Sequence, residues 1–324
     1  MATQTRSSVA ERPLNVVLRP HSPAAAAYRS AVLAPGFEPQ PGLALRYLGG
    51  RTIPRLTFTN VYLGSWRAGE RDQLDHALAS AMADPHLNNV LAQYFKGTTV
   101  SSAFAGSRTH AGAVPTRVYK DTVEAIVTGL DQGGALAAFD LRSTVVCLLL
   151  PEGAVLVDGS SHGGHAEHGI EGDEAVDSKH GLGGYHGSVH VVRNGRLKEA
   201  VYYAVSVYSE GTNGIVAFPN PWQNVCATLY HELSEARTDP DVEDAIRAGS
   251  TPDGERLLGW YSSRGGEIGD IPMSEAGADL SLVMKEVPLA DGSGTVPIQL
   301  MWSNAVGGPE GPIVQPHRVA TAAA

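Results

Sequence analysis

A chain of 324 residues, 43% hydrophobic and 18% charged, can bury a substantial core, and its 37 glycines and 20 prolines imply many turns and long loops. Its formal net charge of -10 speaks against nucleic acid as a partner, because phosphate neutralisation needs a basic face. No run of about 18 apolar residues offers a membrane span, so no membrane partner is expected.

The opening MATQTRSSVAERPLN lacks the apolar stretch of a secretory signal, which gives a cytoplasmic expectation and leaves secretion of a trimmed form open. Residues 1–50, rich in Ala, Pro, Arg and Ser without a sustained period, read as a mobile arm. Structure is expected to begin at RLTFTNVYLG, Arg55 to Gly64, whose alternation and β-branched content suit a strand. From Gly69 to Phe95 the apolar spacing suits two helices meeting at Asp84 and Pro85. A Gly/Ser/Thr-rich connection follows, then DTVEAIVTGL, where Asp121 and Glu124 have the spacing of a capping box.

STVVCLLLP, Ser143 to Pro151, is a short continuous apolar run and predicts a central strand buried on both faces. Cys147 inside it is expected to be a reduced core thiol, and Cys147 and Cys226 together give no disulfide framework. Residues 159–187 read as a polar loop with His162, His165, His168, His180 and His186. Of these His186 enters the strand-like SVHVV and is the one held rigidly. Another strand is read at Glu199 to Tyr208 and one more at Val296 to Trp302. The whole is an α/β layered domain over 51–312 with a disordered tail at 313–324.

YHELSEARTDP, Tyr230 to Pro240, is the stretch that carries chemistry. A four-residue step brings His231 and Glu235 to nearly one helical face, where an imidazole and a carboxylate can share a metal ion. Glu232 stands where the HExxH pattern has its general base, which accepts a proton from metal-bound water; the fifth position here is Glu. Against this stands a plain alternative in which Glu232 and Glu235 are solvent-facing helix residues and His231 is a satisfied core histidine.

Six motifs in order, NVYLGSW, STVVCLLLP, GGYHG, HELSEARTDP, GWYSSRGGEIGD and IQLMWSNAV, resemble the exordium-like, or phosphate-induced protein, family across roughly residues 55 to 312. Family members commonly carry cysteines beside the GYH and EIxD elements, where this chain has Gly183 or Gly184 and Ile271 or Pro272. The metal helix following a strand and loop is similar to zincin-like folds, and the expectation is one zincin-like α/β domain, with a mixed sheet and long loops. His231 and Glu235 are the expected ligands. Glu267 is the third and His186 its competitor, while Asp270 or Asp239 accepts a hydrogen bond from the far nitrogen of a ligating histidine. Zn²⁺ suits the donors, and Ca²⁺ or Mn²⁺ suits them if carboxylates dominate.

The activity expected is metallopeptidase-like hydrolysis of a peptide or small amide, with Glu232 as base and Tyr185 or Tyr203 stabilising an oxyanion. The alternative is a non-catalytic, metal-stabilised binding or signalling protein. The sequence is silent on oligomeric state.

Overall fold

The computed structural model describes residues 32–95, 98–161, 176–193, 197–249 and 251–311. It is a mixed α/β body built on one five-stranded sheet. In chain order its strands are β1 (Arg55–Leu63), β2 (Ser101–His110), β3 (Thr144–Leu149), β4 (Gly184–Arg193) and β5 (Leu197–Ser206). They lie side by side as β2-β1-β3-β5-β4; the first four are mutually parallel and β4 runs antiparallel to β5 at one edge.

Strand alternation divides the core. Phe58, Tyr62, Val145, Cys147, Leu149, Tyr202 and Ala204 face one side, where they pack with α1 (Glu70–Ala83) and the helix Pro221–Thr238. Val61, Val146, Leu148, Val201, Tyr203 and Val205 face the other, against the helix Lys120–Gln132. Every side chain of β3 is buried, as its unbroken apolar run requires of a strand covered on both faces.

The two helices read from Gly69 to Phe95 form as α1 and α2 (Pro85–Leu91), and Asp84 caps the second by accepting from the backbone of His86 and Leu87. The helix α3 (Lys120–Gln132) departs from the expected capping box. It starts one residue before Asp121, whose carboxylate accepts from the backbone of Thr122 and Ser161.

Two further expectations are corrected. The stretch read as a connection contains β2. Its sequence SSAFAGSRTH has almost no β-branched residues and alternates between exposed and half-buried, so it forms a strand because β1 offers it a free edge. Residues 32–50, read as part of a mobile arm, belong to the packed body. Leu45–Tyr47 pairs antiparallel with Trp260–Ser262, Leu33 bridges to Glu310, and Ala34 and Leu45 are buried. The remainder of the arm, the tail and His162, His165 and His168 lie outside the described residues. Among the described residues no helix is long and apolar enough to cross a membrane.

Candidate metal centre

The helix α4 (Pro221–Thr238) carries the HELSEARTDP stretch. Asn220 precedes it, and Pro221 at its first position suits a helix start because proline fixes φ where no amide bond is lost. At the far end the amide of Asp239 still donates to the carbonyl of Glu235, at 2.7 Å. Val225, Leu229, Leu233 and Ala236 anchor the helix in the core.

Burial does not stop at the apolar stripe. Glu232, Glu235 and Arg237 are 4%, 3% and 0% exposed, which overturns the reading of solvent-facing charges. Desolvating three ionisable side chains in six residues demands compensation. Arg237 finds it in neutral acceptors: its guanidinium donates to Asn88 Oδ1, to the carbonyl of Pro54 and to the carbonyl of Ser101. Burial pulls its pKa down to about 10, still above physiological pH, so the charge stays.

Glu235 is held from two directions. Its Oε1 accepts from the backbone amides of Gly269 (2.9 Å) and Asp270 (3.1 Å), at the start of the short helix α6 (Asp270–Ala276), and its Oε2 faces His231 Nε2 at 2.9 Å. Here α5 denotes Val242–Ala248, just beyond α4. Burial pushes the Glu235 pKa up, but the charge and hydrogen bond of His231, with His186 and the Gly269 amide, outweigh it and hold the carboxyl low. For His231 burial works downward and the charges of Glu235 and Glu232 prevail, lifting the imidazole well above its usual range. Burial dominates at Glu232 and raises it.

The strand β4 brings His186 over the same helix. Its Nδ1 lies 3.5 Å from Glu232 Oε2 and 3.6 Å from Glu235 Oε2; its Nε2 lies 3.8 Å from Glu267 Oε1 and 3.3 Å from the Asp239 carbonyl. Strand and helix come this close because Gly184 has no side chain. A Cβ there would lie 2.4 Å from the Val205 carbonyl oxygen and 3.2 Å from Glu232 Oε1.

Two groups therefore meet at metal-ligand spacing and share Glu235: His186 with Glu232 and Glu235, and His231 with Glu235 and Asp270. The edges of 3.5 and 3.6 Å at His186 are long for hydrogen bonds, yet near the ~3.3 Å between ligand atoms tetrahedrally placed about 2.0–2.1 Å from one ion.

Several expected roles shift. Asp270 stands on the Nε2 side of His231, at 3.7 Å, not at its far nitrogen. The far nitrogen, Nδ1, is served by Gln299, whose Oε1 is 2.8 Å away while its amide nitrogen donates to the Gly269 carbonyl at 2.7 Å. Glu267 approaches His186 and belongs to neither group of three. The Asp239 carboxylate turns away to accept from the Gly259 amide at 2.8 Å, and only its backbone carbonyl meets His186.

Tyr185 is among the residues that line the cavity, but its ring and that of Tyr203 lie on the far face of the sheet, contrary to expectation. Successive residues of a strand face opposite ways, so with His186 toward α4 the ring of Tyr185 joins Tyr203 on the α3 side, 6.2 Å between ring centres. Tyr261 also lines the cavity, with Glu267 and Asp270; it is half-buried, with its pKa raised by burial. Sequence reading missed Tyr261 and Gln299. The first had a signal, since it falls inside the GWYSSRGGEIGD motif.

The centre opens into a cavity of about 620 Å³, and among the described residues that line it there is no lysine or arginine. No family model, no curated protein and no solved structure matches the chain.

Proposed function

We propose that this chain is a metal-dependent hydrolase of the zincin type, related to the exordium-like family and acting on peptide or amide bonds. The observation that supports it is the convergence of two imidazoles and the buried carboxylates Glu232, Glu235 and Glu267, with the half-buried Asp270, in a cavity without a lysine or arginine among its described lining residues. Buried like charges require a cation or protons to coexist.

The donors fit a divalent ion. Gln299 must direct its amide nitrogen to the Gly269 carbonyl, which only accepts, so its Oε1 receives a hydrogen from His231 Nδ1. Nε2, whose proton faces Glu235 and Asp270, is then the nitrogen that would exchange that proton for a metal ion. His231, Glu235 and Asp270 would hold the ion, and Zn²⁺ suits one imidazole with two carboxylates, as does Mn²⁺. When bound, such an ion polarises a carbonyl and lowers the pKa of water.

The protein's own groups supply the rest. Glu232, raised by burial, is suited to accept a proton and deliver it to the leaving amine. His186 at 3.5 Å from Oε2 orients that carboxylate, and Tyr261 is available to donate to an oxyanion. The strand, loop and helix order that delivers α4 is in keeping with the zincin reading.

One observation favours a second reading. Glu232 belongs to the His186 group at ligand spacing, so it can serve as a ligand in a purely structural, non-catalytic site. Metal analysis of the wild type, His231→Ala and Glu232→Gln separates these. The hydrolase reading expects one divalent ion in wild type, little in His231→Ala, and full metal without turnover in Glu232→Gln. Loss of metal from Glu232→Gln makes it a ligand, and negligible metal in every form removes both readings.

A further inference from the structure

We infer that the cavity receives an extended peptide segment with apolar side chains on both sides of the centre and without acidic side chains there. This rests on the hydrolase reading and names its substrate class.

The shape of the cavity carries the first half. At one end stand Ile215, Met273 and Met284, which cluster with Ala227 of α4. Ile215 sits beside Gly183, the residue just before β4, where a Cβ would lie 2.6 Å from Ile215 Cγ1. At the other end stand Val242 and Ile246 of α5, with Leu258. The helix α5 comes up to β4 beside Gly187, where a Cβ would be in ordinary contact, 3.6 Å, with the Cβ of Glu243.

Gly183 and Gly187 are four residues apart, about 13 Å at roughly 3.3 Å per extended residue, and His186 falls between them. An extended segment of about four residues spans that distance, so an apolar side chain before the centre and another beyond it each meet an apolar wall. A small polar amide would leave both walls unused, forfeiting the transfer free energy they offer.

Charge carries the second half. Glu232, Glu235, Glu255, Glu267 and Asp270 line the cavity, and no lysine or arginine lines it among the described residues. An acidic side chain entering would lose its hydration beside five carboxylates, and His231, the cationic group among them, is already paired with Glu235.

The test is binding, so that it does not depend on turnover. Three blocked octapeptides, alike except for the pair of residues flanking the central bond, carry Leu-Leu, Lys-Lys or Asp-Asp. Each is titrated into zinc-loaded wild type and Glu232→Gln, by calorimetry. The Leu-Leu peptide is expected to bind at least about tenfold more tightly than Asp-Asp in both proteins, the scale on which an apolar pocket discriminates. Equal affinities, tighter binding of the acidic peptide, or no binding by any of the three overturns the inference.

Ile246→Lys gives the converse arm. It is expected to narrow the gap by raising the affinity for Asp-Asp with metal content unchanged, and an unaltered gap in a folded, metal-replete variant also counts against the inference. Preferential binding without cleavage would leave this inference standing and remove the hydrolase reading. Cleavage without flank preference would do the reverse.

Discussion

Gln299 sets the state of His231 through a bond that leaves its own amide no choice of orientation, donor to Gly269 and acceptor from Nδ1. Removing such a partner costs about 10–100-fold in metal affinity where it has been lost from ligating histidines. Gln299→Leu is therefore expected to weaken zinc binding by that factor in competition with a chromogenic chelator. Gln299→Glu, which can still accept from Nδ1, should retain more of it. Equal affinity in wild type and Gln299→Leu would show that the tautomer is fixed elsewhere. Nothing in TVPIQLM distinguishes this glutamine from any other polar residue ending a strand, and its role arises only from the meeting of three distant segments. The misplacement of Tyr185 is different in kind, because its adjacency to His186 in a strand already required the two side chains to part.

At the scale of elements, the approach of β4 to α4 depends on Gly184. Gly184→Ala puts a methyl group against backbone and the Thr228 side chain as well as Glu232, and overpacking of this sort costs about 1–3 kcal/mol. The variant is expected to unfold at lower urea concentration and to hold metal less tightly, because His186 moves with the strand; an unchanged midpoint and unchanged affinity would refute the close contact. The elements themselves were unequally legible. The strand β3 announces itself by an unbroken apolar run and the helix α4 by the HELSE spacing. Two features escaped because their information is not local: β2 owes its form to a neighbour's free edge, and residues 32–50 to surfaces supplied by residues 259–310.

For the whole molecule, an ion bound only by the folded state raises stability by RT ln(1 + [L]/Kd), about 2.7 kcal/mol at a hundredfold excess over Kd. A strong chelator is expected to lower the urea midpoint without altering the slope, because the surface exposed on unfolding is unchanged. The thiols report the same event. Cys147 and Cys226 are free and fully buried, and burial pushes both pKa values up, so alkylation at neutral pH should be slow in the folded protein. Labelling should accelerate when chelator is added in subdenaturing urea, and a rate indifferent to chelator would indicate that no metal contributes to stability.

Arg237 also has a bearing on how the chain is made. It ties the residues that open β1 and β2, yet it lies 136 residues downstream of Ser101 and 183 downstream of Pro54. At about 5–20 residues per second, a ribosome releases those two strands on the order of ten seconds before the guanidinium that clasps their ends. During that interval β2 has only β1 and the earlier helix α1, whose Arg71 donates to Thr109, to hold it. The clasp on these two strands therefore waits for the same helix that brings His231, Glu232 and Glu235, and Asp270 and Gln299 complete the centre only later in translation.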